Sequence, residues 1–448
     1  MSSFSQRVFN VHADEVAPLA VATLYFFFVL TALMVLRPAR DALGMRSGLD
    51  AIRWLFIGTA AVTLAVNPLF GWLVSRFRRL VFITATYAFF ALSLVGFYAL
   101  ITMAPAAVGE ISGRVFYVWF SVFNLFSTMV FWALMADRFT LEQSKRIFGV
   151  IAVGGTLGAI VGPWLASVLV GPLGTAAMLL VSATFLFLAI VAAWGVAWLR
   201  PERTAEAQRS GPVEPAIDSA VIGGNAWAGI GAVFRSRYLL GISVYVLVMT
   251  VTATFIYFTR LQMVAALGAD TDMRATVFAQ IDLITQVATL VLQAVVTGHL
   301  MRRLGVAVAL AILPVVVSLG FVGLAIAGSF AVLVLFDATF RAIQRAITRP
   351  ARETLFTVVT REEKYKSKAF TDTFVYRGGD VIGAWTEGWL GQLGMALAGL
   401  AALAVPLAAS WAVLGLWLGR AQRRLASGDL PAAGAAAPAA IPEQATAP

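Results

Sequence analysis

Apolar residues run along this chain in stretches of about twenty, separated by short polar breaks. A stretch of that length spans the hydrocarbon core of a bilayer as a helix. Counting such windows predicts twelve helices, near 16–36, 51–73, 80–102, 115–136, 147–170, 174–198, 238–259, 275–300, 305–326, 328–348, 369–391 and 394–418. Two polar stretches punctuate the pattern. One, opening with PERTAEAQRSGPVEP, separates the sixth window from the seventh, and the other is the closing Ala/Pro-rich run PAAGAAAPAAIPEQATAP. The expected organisation is a six-helix bundle over 1–198, a cytoplasmic linker over 199–237 and a second bundle over 238–420. A tail over 421–448 is expected to be disordered, because its composition cannot build a core.

Composition agrees with an all-α polytopic membrane protein embedded in the lipid bilayer. The 448 residues are 60% hydrophobic and only 12% charged, about half the charged share of a soluble domain. There is no cysteine and there are only two histidines, His12 and His299, so neither a disulfide framework nor a Cys- or His-rich metal site is expected. No nucleophile–base arrangement, paired-carboxylate site or phosphate loop of the Gly-x-x-x-x-Gly-Lys-Ser/Thr type emerges. An enzyme is therefore not expected, and neither is a cofactor.

The net charge of +10 fits a positive-inside bias rather than nucleic-acid binding. With the N-terminus inside, cytoplasmic loops and tails hold 25 of the 33 Lys and Arg, and outer segments hold seven, including Arg37, Arg40 and Arg260. Both termini are then expected in the cytoplasm.

Charge inside the windows is where function is sought, since an ionisable group in a membrane helix is costly unless paired or used. Asp337, Arg341, Arg345 and Arg349 recur every fourth residue, which stacks them on one helical face before Pro350 ends the helix. A ladder of guanidiniums suits a polyanionic ligand through bidentate bonds; lipid snorkelling is the competing reading, and it suits Arg349 better than Arg341. Arg377 and Asp380 are three apart and predict a pair that acts as a staple or gate. Gln280, Asp282, Gln286 and Gln293 form a polar stripe in the eighth window. Asp282 has no basic residue within a turn, so it is the candidate proton-coupling carboxylate.

The chain also repeats. GWLVSRFRR (71–79) follows the second window and GHLMRR (298–303) the eighth; GGTLG (154–158) lies in the fifth and GGDVIG (378–383) in the eleventh. The offsets, 227 and 224, nearly agree, which predicts a duplicated six-helix unit. Parallel repeats of this kind, with substrate between the halves, are the pattern of the major facilitator superfamily. The run after the second window resembles that superfamily's loop motif, with Ser75 where the motif has an acid.

Three stretches resemble the ATP/ADP translocase family of nucleotide transporters, a branch of that superfamily. LRPARDAL (36–43) is similar to its Leu-Arg-x-x-Lys-Asp-x-Leu, with Arg40 at the substrate-linked Lys. FWALMADRFT (131–140) with EQSKRIFG (142–149) resembles its fourth-span exit. RPARETLF (349–356) with KSKAFTD (366–372) resembles its Asp-Pro-x-Lys-Glu segment and the following Lys-x-Lys-Ala-x-x-Asp, with Arg352 in place of Lys. Tyr117 to Ser121 holds no carboxylate where the family has a Glu.

The resemblance implies nucleotide transport, as ATP/ADP exchange or import, by a distant bacterial member acting as a monomer in the inner membrane. It adds Arg37, Arg40, Arg352 and Lys368 to Arg341, Arg345 and Arg377 as substrate-binding candidates; Asp282, Asp337 and Asp380 are the coupling or gating candidates. Transport of another phosphorylated or carboxylated organic anion is the nearest alternative, and a non-transporting membrane sensor or assembly protein an alternative of another class.

Overall fold

The computed structural model describes residues 15–76, 79–199, 228–394 and 397–427, and their regular structure is helical throughout. In lipid only helices and closed barrels satisfy every backbone polar group. The first half holds α1 (Val16–Gly44), α2 (Leu49–Arg76), α3 (Arg79–Thr102), α4 (Ala106–Arg138), α5 (Leu141–Leu173) and α6 (Ala177–Leu199). A short α7 (Ala228–Arg235) leads into the second half: α8 (Arg237–Leu267), α9 (Thr271–Leu292), α10 (Gly298–Ala327), α11 (Phe330–Ile343), α12 (Arg349–Leu355), α13 (Arg361–Phe370), α14 (Tyr376–Gln392) and α15 (Leu397–Ala426). Side chains fix several starts. Thr140 with Gln143 and Thr360 with Glu363 form capping boxes, and Ser236, Asp270 and Ser329 cap α8, α9 and α11.

Ten helical segments among the described residues are long and apolar enough to cross a membrane. The charge-bearing tenth and eleventh predicted windows complete twelve. Each is continuous through a five-residue π turn, Gln344–Thr348 between α11 and α12 and Thr371–Val375 between α13 and α14.

Three expectations change. Pro350 does not end its helix: the helix runs on through it into α12, directly after the π turn. Residues 421–426 belong to α15 rather than to the tail, whose remainder beyond 427 lies outside the described residues. The linker closes with helix α7, and 200–227 lie outside the described residues, as do 77–78 of the GWLVSRFRR run.

Two apolar cores form, one built mainly from α1 to α6 and one from α7 to α15. Glycines carry the tightest helix contacts, as expected in lipid, where close backbone approach stands in for hydrophobic drive. A Cβ on Gly154 would fall 2.2 Å from the Thr23 carbonyl oxygen and one on Gly158 2.4 Å from that of Phe27, so α5 lies directly on α1. In the second half a Cβ on Gly379 or Gly383 of α14 would fall 2.9 or 2.8 Å from the Cβ of Thr250 or Thr254 of α8.

Thr250 and Thr254 follow Thr23 and Phe27 by 227 residues, and Gly379 and Gly383 follow Gly154 and Gly158 by 225. The duplication is thus visible as the same packing made twice. It equates Gly154 with Gly379 rather than with Gly378.

An added methyl at these contacts overpacks them at a cost of about 1–3 kcal/mol. Gly158→Ala and Gly383→Ala should therefore lower the melting temperature in detergent. Gly378→Ala should leave it unchanged or slightly raised, because its Cβ would meet nothing within 4 Å and alanine is the better helix former. Equal losses at 378 and 383 would refute this packing.

Candidate functional site

A cavity of about 550 Å³ is walled by helices of the second half, and Arg37 of the first half reaches it. Helices α11 and α12, with the π turn joining them, supply Asp337, Arg341, Arg345, Arg349 and Arg352 to its wall; α1 supplies Arg37, α8 Arg260, and α14 Arg377. Seven arginines against two aspartates, Asp337 and Asp372, line it. Guanidiniums remain charged in proteins, so the cavity is strongly electropositive. The π turn matters here. It widens the helix where Gln344, Arg345 and Thr348 face the cavity, and such turns recur at functional sites.

One end of the cavity is an ion-pair network with almost no solvent exposure. Asp337 accepts from Arg341 at 2.6 Å and from Arg260 at 3.2 Å. Asp282 accepts from Arg341 at 2.5 Å, and Arg37 lies 3.6 Å away. Arg260 also reaches Asp41 at 3.4 Å, and Asp41 accepts from Tyr257 at 3.0 Å, whose hydroxyl is 2.9 Å from that of Tyr117. Asp41 and Asp337 are 2% and 4% exposed at their side chains. Charges this deep persist only when paired and hydrogen-bonded. Further along the ladder the pairing stops. Arg345 donates to Gln286 and meets no carboxylate, and Arg349 makes no hydrogen bond or ion pair with the described residues. At the opposite end from Arg260, Arg352 pairs with Asp372 at 3.2 Å and with Glu353 at 3.6 Å.

Five of the seven residues expected to bind substrate, Arg37, Arg341, Arg345, Arg352 and Arg377, line this cavity. Arg40 and Lys368 do not. Arg40 bonds Asp41 at 2.5 Å and lies over the rings of Tyr117 and Phe120, 4.8 and 5.1 Å from their centroids. Lys368 pairs with Glu353 at 2.6 Å. Arg377 and Asp380 pair at 3.3 Å as their spacing predicts. Asp337 and Asp282 sit in the network.

The reason that singled out Asp282, a lack of basic neighbours, does not hold in three dimensions, because its partners come from α1, α8 and α11. Arg37, Arg40 and Arg260, assigned to outer segments, lie within α1 and α8, which run on to Gly44 and Leu267. Arg260 is the residue the sequence reading misses. Apolar sequence on both sides of it, and two acids buried in other windows, are the signals that point to it.

The halves close against each other at the end that carries the turns after α1 and α8. Arg53 donates to Asp50 and, at 2.9 Å, to Glu387, which also accepts from Gln262 at 2.6 Å. Trp54 meets Trp385 edge-on at 4.9 Å. Thr175 donates from both its N–H and its hydroxyl to Asp272, and Arg46 donates to Thr271. At the other end the cavity reaches the exposed Arg349 and Asp372. Among the described residues, the cross-half contacts of Arg53, Trp54, Thr175 and Arg46 thus close one face, and the cavity runs toward the other.

A doubled six-helix bundle with a polar cavity between the halves is the architecture of a secondary transporter. The profile of the Major Facilitator Superfamily matches residues 16–348, and the chain belongs to that superfamily. It is a multi-pass membrane transporter and not an enzyme. No curated protein sequence matches it.

Solved structures share the fold. The POT family transporter PepTSo aligns with a TM-score of 0.62 at 12% identity, covering 91% of this chain and 98% of its own. A mutant of the nucleoside transporter NupG gives 0.58 at 13%, covering 91% and 99%. A bacterial homologue of the human lysosomal transporter Spinster, inward-facing and unoccupied, gives 0.57 at 12%, covering 93% and 95%.

Removing one member of a buried ion pair costs about 3–5 kcal/mol. Asp337→Ala, which removes the carboxylate that Arg260 and Arg341 share and leaves them Asp41 and Asp282 alone, should therefore reduce the thermal stability or yield of the protein, whereas Arg349→Gln should change neither. Comparable melting curves for the two variants would show the network to be structurally idle.

Proposed function

We propose that this protein transports a phosphorylated organic anion by alternating access, with a nucleotide as the leading substrate, and that the arginine-lined cavity binds it. The observation that carries the reading is the unmatched charge of Arg345 and Arg349 in a cavity that already holds a closed ion-pair network. Two guanidiniums without carboxylates, next to Arg352 and Arg377, suit a group with several anionic oxygens. The volume is in the range of pockets that take small organic ligands.

The resemblance of 36–43, 349–356 and 366–372 to the ATP/ADP translocase family supports a nucleotide, as exchange or import. The nucleoside transporter among the structural neighbours is compatible with it, though that likeness speaks to the fold alone. The charge asymmetry of the loops supports both termini in the cytoplasm, and the protein is read as a monomer in a bacterial inner membrane. On that orientation the open face looks into the cell, and the Arg53–Glu387 cluster is the closed outer gate.

In this reading Asp282 is the coupling residue, as an exchangeable counter-ion. It ties α1 through Arg37 to α11 through Arg341, and an incoming anion competes with it for those guanidiniums. Asp337 holds Arg341 and Arg260 in place, and the Arg377–Asp380 pair gates the α14 wall.

Two experiments test this. Charge-assisted bonds are worth roughly 1.5–3 kcal/mol each, so Arg345→Gln should weaken substrate affinity about ten- to a hundredfold. The loss should be greater for a triphosphate than for a monophosphate, and Arg345→Lys should recover only part of it. A loss independent of substrate charge would sink the assignment. Asp282→Asn should bind the anion at least as tightly as wild type yet transport it more slowly in proteoliposomes; weaker binding would exclude the counter-ion role.

A further inference from the structure

The wall beside the arginine ladder is of a different kind. On α8, beyond Arg260 at the network end, the cavity is lined by Met249, Ala253 and Tyr257, four apart and hence on one face of the helix. None is ionisable near neutral pH. Phe340 from α11 and Tyr376 from α14 add two more rings. Ala253, the smallest side chain of this stripe, lies one turn from Met249 on one side and one turn from Tyr257 on the other, leaving a shallow notch between a thioether and an aromatic ring.

The notch has a fixed floor. Behind it Thr250 and Thr254 are buried where Gly379 and Gly383 bring α14 onto α8, so the stripe is braced by close packing. The cavity is thus bipartite, with a cationic edge that runs from Arg341 to Arg352 and an uncharged, partly aromatic edge alongside it.

A site built only for small inorganic anions, or for short dicarboxylates, has no use for such an edge. Aromatic and apolar side chains add binding for a ligand only where it presents an apolar or planar body. Stacking on an aromatic face is tolerant of ring identity and supplies appreciable affinity for bases.

We infer that the cavity selects amphipathic phosphates, in which a phosphate chain lies along the arginines while an uncharged planar body such as a nucleobase rests in the notch at Ala253, making that alanine a specificity-determining residue. The inference rests on the transport reading above, since the arginines must bind the phosphates for the notch to matter. It goes further in stating that the body of the ligand, and not its charge alone, is recognised.

The test uses full-length purified protein in nanodiscs, with inorganic tripolyphosphate and adenosine triphosphate as probes in titration calorimetry. The triphosphate ester should bind at least about tenfold more tightly than tripolyphosphate, although the inorganic chain carries more charge. Ala253→Phe, which fills the notch, should weaken the ester about tenfold or more while changing tripolyphosphate by less than about threefold. Ala253→Val serves if the larger variant fails to fold, with a smaller change of the same sign.

The outcomes separate the two readings. Equal affinity of wild type for both probes, or equal losses in the variant, overturns the notch and leaves the anion site standing. Binding of neither probe overturns the anion site and the notch with it.

Discussion

Four guanidiniums, those of Arg37, Arg40, Arg260 and Arg341, share three carboxylates, those of Asp41, Asp282 and Asp337, in the middle of an apolar molecule. Each such charge is expensive in hydrocarbon, and each becomes tolerable only when a partner from another helix reaches it. Because the partners come from α1, α8, α9 and α11, meeting that requirement draws both halves to one point. Packing then follows from the charges as much as from the apolar surface. The glycines that bring α5 onto α1 and α14 onto α8 hold the helices close enough for the pairs to form.

The same network explains why the rest of the ladder is available. Arg341 is spent on Asp282 and Asp337, so its fourfold spacing with Arg345 does not make the two equivalent. A π turn begins directly after α11, and the next arginines pass from the carboxylate-rich end toward open solvent without acquiring carboxylates of their own. Where the chain does supply acids again, at Asp372 and Glu353, they serve Arg352 at the mouth. The electropositive middle is therefore a gap between two matched ends.

Much of this was legible in the apolar pattern. Twelve windows, the repeat and the spacing of Asp337, Arg341, Arg345 and Arg349 are local properties, and local periodicity carries them. What was not legible is non-local. Nothing near Asp282 in sequence announces Arg341, 59 residues on, or Arg37 in the other half. Arg260 looked like a flank because the apolar window ended at 259, while the helix runs on to Leu267 and carries it inward. Pro350 looked like a terminus because the π turn before it, through which the helix runs on, has no signature in composition. Resemblance singled out Arg40 as a substrate contact, but its guanidinium turns to the aromatic rings of α4 rather than to the cavity.

A nucleoside transporter and a peptide transporter share this fold at 13% identity over nine-tenths of the chain. An architecture common to such different cargo cannot select among them, so selectivity must reside in the few side chains that line the cavity. Here those side chains divide into two kinds on neighbouring helices. The arginines of α11 and α12 define a charge and would accept any polyanion of suitable reach. The stripe on α8 defines a shape, because Met249, Ala253 and Tyr257 present no charge and little polarity to whatever lies against them. Charge alone would leave phosphate, dicarboxylates and nucleotides in competition. On the proposed reading, an uncharged edge beside the arginines would rank them by the body each one carries.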